Sequence, residues 1–456
     1  MKEVGDAIIF LSDLIWGTPV LVLLLGGGFY FLILSRLAPL KYLGHAIQVI
    51  RGKYDDPAES GQLRHYEALS TALAGTVGMG NISGVAVAIT MGGPGAIFWM
   101  WVSAFFGIAT KFFTCSLAVM YRGKDSAGEI QGGPMYVITE GLGKKWKPMA
   151  VFFSFMTVLG VLPLFNANQL TQAIRDVVLI PNGIPGTFKT DLVIGFFLAF
   201  LVGIVILGGI KRIGRVTGKL VPVMVIVYGI TVLYIILANA SQIIPSFKLI
   251  FEDAFTGRAV LGGSLGAVII TGVRRAVFSN EAGVGTASMA HGAARTNEPI
   301  REGLVAMLGP VIDTIIVCTM TALAIIITGV WQYSNAGGIT LTAEAFGKFI
   351  PFGDYILVVC ISFFAMSTMF AYPYYGAKCM SFLFGVKYQS LYNYLVVILV
   401  VWGAVTRMNV IVSFCDLAFA LMAFPNMISA ILLSGKVRVA AKDYFARLKR
   451  GDFKTA

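Results

Sequence analysis

Apolar residues in this chain gather into runs of about 20, the length at which a helix rising 1.5 Å per residue crosses a bilayer. Val20–Leu34, Val193–Ile210 and Leu304–Val330 are examples. A window of about 19 residues predicts eleven spans, at approximately 17–36, 68–91, 95–121, 149–171, 191–210, 218–238, 262–289, 302–330, 353–383, 389–406 and 410–433. The fold class expected is all-α, a polytopic helical membrane protein.

Composition agrees. Of 456 residues, 57% are hydrophobic and 13% charged, about half the charged share of a soluble domain, and the mean hydropathy is +0.81. Assigning loops alternately to two sides places Lys41, Arg51, Arg64, Arg122, Lys144, Arg212, Arg215, Arg295, Arg301 and Lys378 on one side with the basic tail. The other side receives few cations (Lys2, Arg175, Lys189, Lys248, Arg258, Lys348, Arg407) and many acids (Asp13, Asp176, Asp191, Glu252, Asp253, Glu344, Asp354). The cation-rich side is expected to be cytoplasmic, with the N-terminus outside and the C-terminus inside a cell's plasma membrane. Span 17–36 has no charged n-region before it and no small-residue cleavage site after it, so it reads as a retained helix. Residues 436–454 interleave Lys436, Arg438, Lys442, Arg447, Lys449 and Arg450 with Val437, Val439, Tyr444, Phe445 and Leu448, the pattern of an amphipathic helix that lies on an anionic leaflet or, alternatively, offers a surface to a partner.

The net charge of +12 is spent in these loops, so no nucleic-acid partner is expected; the partner is the lipid bilayer. The five cysteines lie singly and without a CxxC pair, and the three histidines are scattered, which argues against a disulfide scaffold or a metal or haem centre. No nucleophile–base–orienter set marks an enzyme, and no GxxxxGK[ST] signature marks ATP binding. Nothing in the pattern bears on oligomeric state.

The informative positions are those a continuous membrane helix should avoid. Span 2 contains Ala74-Gly75-Thr76-Val77-Gly78-Met79-Gly80-Asn81, and span 7 contains Phe278-Ser279-Asn280-Glu281-Ala282-Gly283-Val284-Gly285. Each glycine costs about 1 kcal/mol against alanine in a helix, and each asparagine brings an amide that needs a partner. The two host spans are five spans apart and hence oppositely oriented. That is the footprint of an inverted repeat whose two discontinuous helices meet at the midplane and bind a ligand there, because freed backbone groups are tolerated only beside a ligand, ion or cavity.

Thr76-Val77-Gly78-Met79-Gly80-Asn81-Ile82-Ser83-Gly84-Val85-Ala86, together with Gly132-Gly133-Pro134-Met135-Tyr136 and Phe278-Ser279-Asn280-Glu281-Ala282-Gly283, closely resembles the alanine or glycine:cation symporter family, across about residues 12–435. The resemblance implies a leucine-transporter-like five-plus-five inverted repeat. Residues 1–66 would then be an extra helix and linker, 67–240 the first repeat, 241–435 the second and 436–456 a basic tail. By the same likeness the amides near Met79 and Gly80 would bind a substrate carboxylate, and the backbone near Gly75 and Thr76 its amino group. The carbonyls of Ala74 and Val77, with the paired hydroxyls of Ser367 and Thr368, would hold sodium. Phe278 would close over the ligand, with Ser279, Asn280 and Gln169 as polar contacts. Asn81 and Asp313 form a candidate second cation site. Arg274 or Arg275 is expected to pair with Glu281, since a charge inside a span needs a partner.

One departure stands out. Typical members have tryptophan where this chain has Tyr372, in Ser367-Thr368-Met369-Phe370-Ala371-Tyr372-Pro373, a smaller ring with a hydroxyl that bears on substrate choice. The function expected is sodium-coupled import of a small neutral amino acid, alanine or glycine, by alternating access. The alternative is proton-coupled symport of another neutral amino acid, with Asp313 or Glu281 carrying the proton.

Overall fold

The computed structural model of the chain describes residues 10–12, 14–256, 265–334, 338–406 and 408–453. Lys2, Asp13, Arg258 and Arg407, assigned above to the outer side, lie outside the described residues. The helices are α1 (Phe10–Leu34), α2 (Leu43–Ile50), α3 (His65–Thr76), α4 (Gly80–Gly92), α5 (Ala96–Met120), α6 (Lys147–Gly160), α7 (Leu164–Ala173), α8 (Phe188–Ile206), α9 (Gly209–Ala238), α10 (Ile243–Thr256), α11 (Leu265–Asn280), α12 (Thr286–His291), α13 (Pro299–Thr328), α14 (Ile339–Phe349), α15 (Gly353–Phe384), α16 (Lys387–Val405) and α17 (Met408–Arg450).

Among the described residues, nine helices are long and apolar enough to cross a bilayer, and α3 with α4, bent by 54° at their break, makes a tenth. The seventh span expected from the sequence is the pair α11 and α12, whose halves are too short to qualify separately because residues 281–285 interrupt them. Helices α10 and α14 occupy loops. Asp253 fastens α10 by accepting from the Gly95 N–H at 2.7 Å, and Lys348 fastens α14 by donating to the Thr328 carbonyl at 2.6 Å.

Both interruptions have local causes. After α3, the Asn81 side-chain oxygen takes the Gly78 N–H at 2.8 Å, so this N–H no longer reaches the Ala74 carbonyl four residues back. After α11, Glu281 (φ 52°), Gly283 (φ 92°) and Gly285 (φ 107°) all adopt the left-handed region. Glycine reaches it freely, but Glu281 does so at a cost of order 1–3 kcal/mol. The two breaks touch: a Cβ placed on Gly80 would lie 3.3 Å from the Ser279 Cα.

Helices α3 and α5 each pack on α12 and α13, and α11 packs on α4 and α5. Helices α6, α7, α8, α15, α16 and α17 surround that group, with α8 against α16 and α6 against α15 and α17. The α5–α13 seam is closest at Gly303, where a Cβ would meet Ser116 Oγ at 2.0 Å and the Phe112 carbonyl at 2.7 Å.

The tail departs from the sequence reading. Helix α17 continues without a break for 43 residues to Arg450, about 65 Å at 1.5 Å per residue, and its end leaves the apolar zone docked on protein. Tyr444 OH pairs with His45 Nε2 at 2.7 Å, Phe445 stacks on Tyr42 with centroids 3.9 Å apart, and Arg447 forks onto Glu298 at 2.7 and 2.9 Å. The apolar face expected to lie on lipid therefore covers α2 and its flanks, while Lys436, Arg438 and Lys442 stay exposed.

Gly303→Ala should lower stability by about 1–3 kcal/mol through overpacking, read as a lower melting temperature of the purified protein. Gly435→Ala in α17, where nothing lies within 4 Å, should leave the melting temperature unchanged or raise it.

Candidate functional site

A small cavity of about 20 Å³ lies where the two breaks meet. The α3–α4 break lines it with Gly75, Thr76, Gly78, Met79 and Gly80, α11 with Phe278, and α15 with Thr368 and Tyr372. Met79 and Gly80 open α4, and the first N–H groups of a helix lack intrahelical carbonyls and carry its positive end. Their lack of side-chain crowding matters at Gly80, which the backbone of α11 approaches. The far wall is aromatic. Phe278 meets Phe165 edge-on at 5.8 Å and Phe419 at 6.0 Å, and Tyr372 meets Phe419 at 6.2 Å.

Two polar side chains, Thr76 and Asn166, line this space. The buried Thr76 Oγ1 makes no hydrogen bond among the described residues. Asn166, only 5% exposed, lines the cavity from α7, just past the kink at Pro163 between α6 and α7. The likeness gave the polar ligand contact in this span to Gln169. Gln169 is not in the lining; its amide reaches Gln172 Oε1 at 3.1 Å and Asn168 Oδ1 at 3.5 Å. Gly160, Leu162, Phe165, Cys415 and Phe419 also line the cavity and were not foreseen. The break at Pro163 was the available signal for the first three, whereas Cys415 and Phe419 carried none.

Beside the cavity, oxygen atoms converge. The Ala74 carbonyl, deprived of its helical N–H, receives Ser367 Oγ at 3.2 Å and Thr368 Oγ1 at 3.1 Å. Both hydroxyls can turn instead to the Phe364 carbonyl, at 2.8 and 3.2 Å, which frees their lone pairs for a cation. Val77, with ψ 86°, has left the helical conformation, but no contact joins its carbonyl to this group. Gly78 packs so tightly there that a Cβ would lie 2.6 Å from Thr368 Oγ1.

Asn81, Ser279, Asn280 and Asp313 form a second, fully buried group. Asp313 Oδ1 accepts from Asn81 Nδ2 at 2.7 Å, and Oδ2 accepts from Ser279 Oγ and Thr314 Oγ1, each at 2.7 Å. Asn280 Nδ2 donates to Thr314 Oγ1 at 3.0 Å. Ser279 and Asn280 thus lie beside Asp313 and do not line the cavity.

The buried charges pair differently from the sequence expectation. Arg274 Nη2 and Arg275 Nη2 reach Asp416 Oδ2 at 2.8 and 3.4 Å, so α11 is tied to α17. Glu281 takes hydroxyls instead, from Thr286 and from Tyr372 at 2.5 Å. The chain reversal after Asn280 carries Glu281 away from the arginines, which explains the exchange of partners.

Two discontinuous helices meeting at a small cavity, with helix-end amides and freed carbonyls beside it, define a secondary transporter. The sodium:alanine symporter family model matches residues 1–456. Sodium/alanine symporter AgcS of Methanococcus maripaludis is 40% identical over 450 residues, covering 98% of each chain. A probable sodium/glutamine symporter, GlnT of Bacillus subtilis, is 33% identical over 454 residues, covering 99% of this chain and 93% of the relative. Among solved structures, MhsT in complex with L-phenylalanine superposes with a TM-score of 0.61 at 13% identity, over 85% of this chain and 93% of that one, which shows the shared fold. The chain belongs to the sodium:alanine symporter family; it is a transporter and not an enzyme.

Thr76→Val keeps the shape of the side chain and removes only an unpartnered hydroxyl. If that hydroxyl serves the ligand, amino-acid affinity should fall about tenfold, the worth of one hydrogen bond, while the melting temperature of the unliganded protein holds. Equilibrium binding and thermal melts on the same preparation check both.

Proposed function

We propose that this protein imports a small neutral amino acid, with alanine and glycine the first candidates, together with sodium, by alternating access. The observation that carries the reading is Thr368: its hydroxyl is part of the oxygen group around the Ala74 carbonyl and part of the cavity wall. An ion held by Ala74, Ser367 and Thr368 would therefore order the same break that offers Met79 and Gly80 amides to a carboxylate. Each ligand would then raise the other's affinity by the same factor.

In this reading Thr76 and Asn166 satisfy polar groups of the amino acid, and Phe278, Phe165 and Phe419 exclude water above it. Asp313 with Asn81 is a second candidate cation group. The relatives' names, which pair sodium with alanine and with glutamine, support a neutral amino acid and leave its side chain to the pocket. The cation-rich loops face the cytoplasm, the N-terminus lies outside, and the membrane is the cell's plasma membrane. Residues 67–240 and 241–435 form the two repeats, each giving helices to the inner group that rocks against the surrounding bundle around the site, after an added first helix in 1–66 and before the tail of 436–456.

Uptake of labelled alanine and glycine into proteoliposomes under an inward sodium gradient tests the proposal. Accumulation should follow the sodium gradient. The double variant Ser367→Ala/Thr368→Ala should raise the sodium concentration for half-maximal uptake at least about tenfold, as expected when charge-assisted contacts are lost. Uptake driven by a proton gradient and indifferent to sodium would overturn the sodium reading and move the coupling role to Asp313 or Glu281.

A further inference from the structure

The densest cluster of buried titratable side chains outside the cavity lies on the cation-rich side, where four helices end. Glu302, in the first turn of α13, is wholly buried and holds one imidazole on each carboxylate oxygen. His65 Nδ1, at the first residue of α3, meets Oε2, and His291 Nδ1, at the last residue of α12, meets Oε1 at 2.5 Å. A carboxylate only accepts, so both rings present Nδ1–H to it. Both Nε2 atoms are buried without a partner. Burying three such groups is costly for simple packing, for which apolar residues serve as well.

Arg122, just beyond the end of α5, completes the arrangement. It donates to the carbonyls of Gly292 at 2.9 Å, Thr296 at 2.7 Å, Ser60 at 3.2 Å and Ala294. Burial works against its charge, and Glu302 and Glu59 support it. The segments that Arg122 grips are themselves paired. Leu63 and Ala294 form a parallel bridge, with Leu63 N–H on the Ala293 carbonyl at 3.1 Å and Arg295 N–H on the Leu63 carbonyl at 2.6 Å. Gly132 of the Gly-Gly-Pro motif presses on the same place, since a Cβ there would lie 2.7 Å from the Gly292 Cα.

We infer that Glu302 is a positioning residue for transport. With His65, His291 and Arg122 it joins the cation-rich ends of α3, α5, α12 and α13 into one rigid body that moves as a unit, so α3 does not swing out alone. The lead into the first broken helix and the exit from the second form one ribbon. Arg122 fixes that ribbon to α5, and Glu302 fixes it to α13. The inference rests on the transport reading above.

The test is a disulfide across the ribbon. Leu63→Cys/Ala294→Cys joins residues paired in a bridge, within the Cα separation of about 4.4–6.8 Å that a disulfide tolerates. Oxidised protein in proteoliposomes should take up amino acid within twofold of the rate of the reduced protein. Uptake at least tenfold slower when oxidised, and restored by reductant, would overturn the inference, because the two segments would then have to separate in each cycle. Glu302→Gln provides a second arm. Its amide cannot accept from both rings, so maximal uptake rate should fall at least tenfold while equilibrium binding of sodium and amino acid stays within twofold. Wild-type rate and binding in this variant would also overturn the inference. Should Glu302→Gln fail to fold, the disulfide arm decides alone. Wild-type protein that takes up no amino acid under any gradient fails the transport reading itself, before either variant is compared.

Discussion

Everything at the centre of this molecule depends on one hydrogen bond, from the Gly78 N–H to the Asn81 side chain. Hydrocarbon offers no water to an interrupted helix, so a break survives only where another group takes over the lost backbone bonds. Asn81 does so from within the break. Its oxygen removes Gly78 from the helical ladder and leaves the Ala74 carbonyl to Ser367 and Thr368. Its nitrogen reaches Asp313, which also receives Ser279 at the second break. One side chain thus links the oxygen group beside the cavity to the opposite half-helix. Glycine at 78 is required by the same arrangement, because any Cβ would strike the Thr368 hydroxyl.

The two ends of the central helices are held in different ways. On the side away from the cation-rich loops, Arg274 and Arg275 cross to Asp416, a residue of α17, and α17 packs on α6 in the surrounding helices. That contact joins the inner group to its surroundings, so relative motion of the two must break it. On the cation-rich side, the bonds made by Glu302 and Arg122 connect inner helices and their flanking segments to one another. They can persist while the group moves as a whole.

The sequence disclosed features that are local. Runs of apolar residues marked the spans, and glycine clusters with an asparagine marked both breaks, because these are properties of a few consecutive residues. Partners distant in the chain were not legible. Asp416 lies 142 residues beyond Arg274, and adjacency in sequence favoured Glu281 until the chain reversal at positive φ was seen. Asn166 and Gln169 lie three residues apart, nearly a helical turn, and which of them meets the cavity depends on how α7 is set against distant elements, which no local pattern discloses. The tail's apolar face was legible as a face, but α2 as its cover was not.

The tyrosine at 372 shows why a residue's chemistry must be read with its bonds. By composition alone it adds a hydroxyl to the cavity and suggests a ligand with a polar side chain. In the structure that hydroxyl is already committed to Glu281 at 2.5 Å, and Glu281 would otherwise be a buried carboxylate with one donor fewer. Tyr372 therefore presents its ring to the ligand, while its oxygen stabilises the second break. The polar side chains left lining the cavity are Thr76, whose hydroxyl has no partner among the described residues, and Asn166. The two lie on different helices of the first repeat, Thr76 at the end of α3 in the inner group and Asn166 in α7 among the surrounding helices, so a ligand satisfying both would bridge the moving and surrounding helices. A ligand too short to reach Asn166 would leave an amide unpaired, and that penalty is how such a pocket distinguishes one neutral amino acid from another.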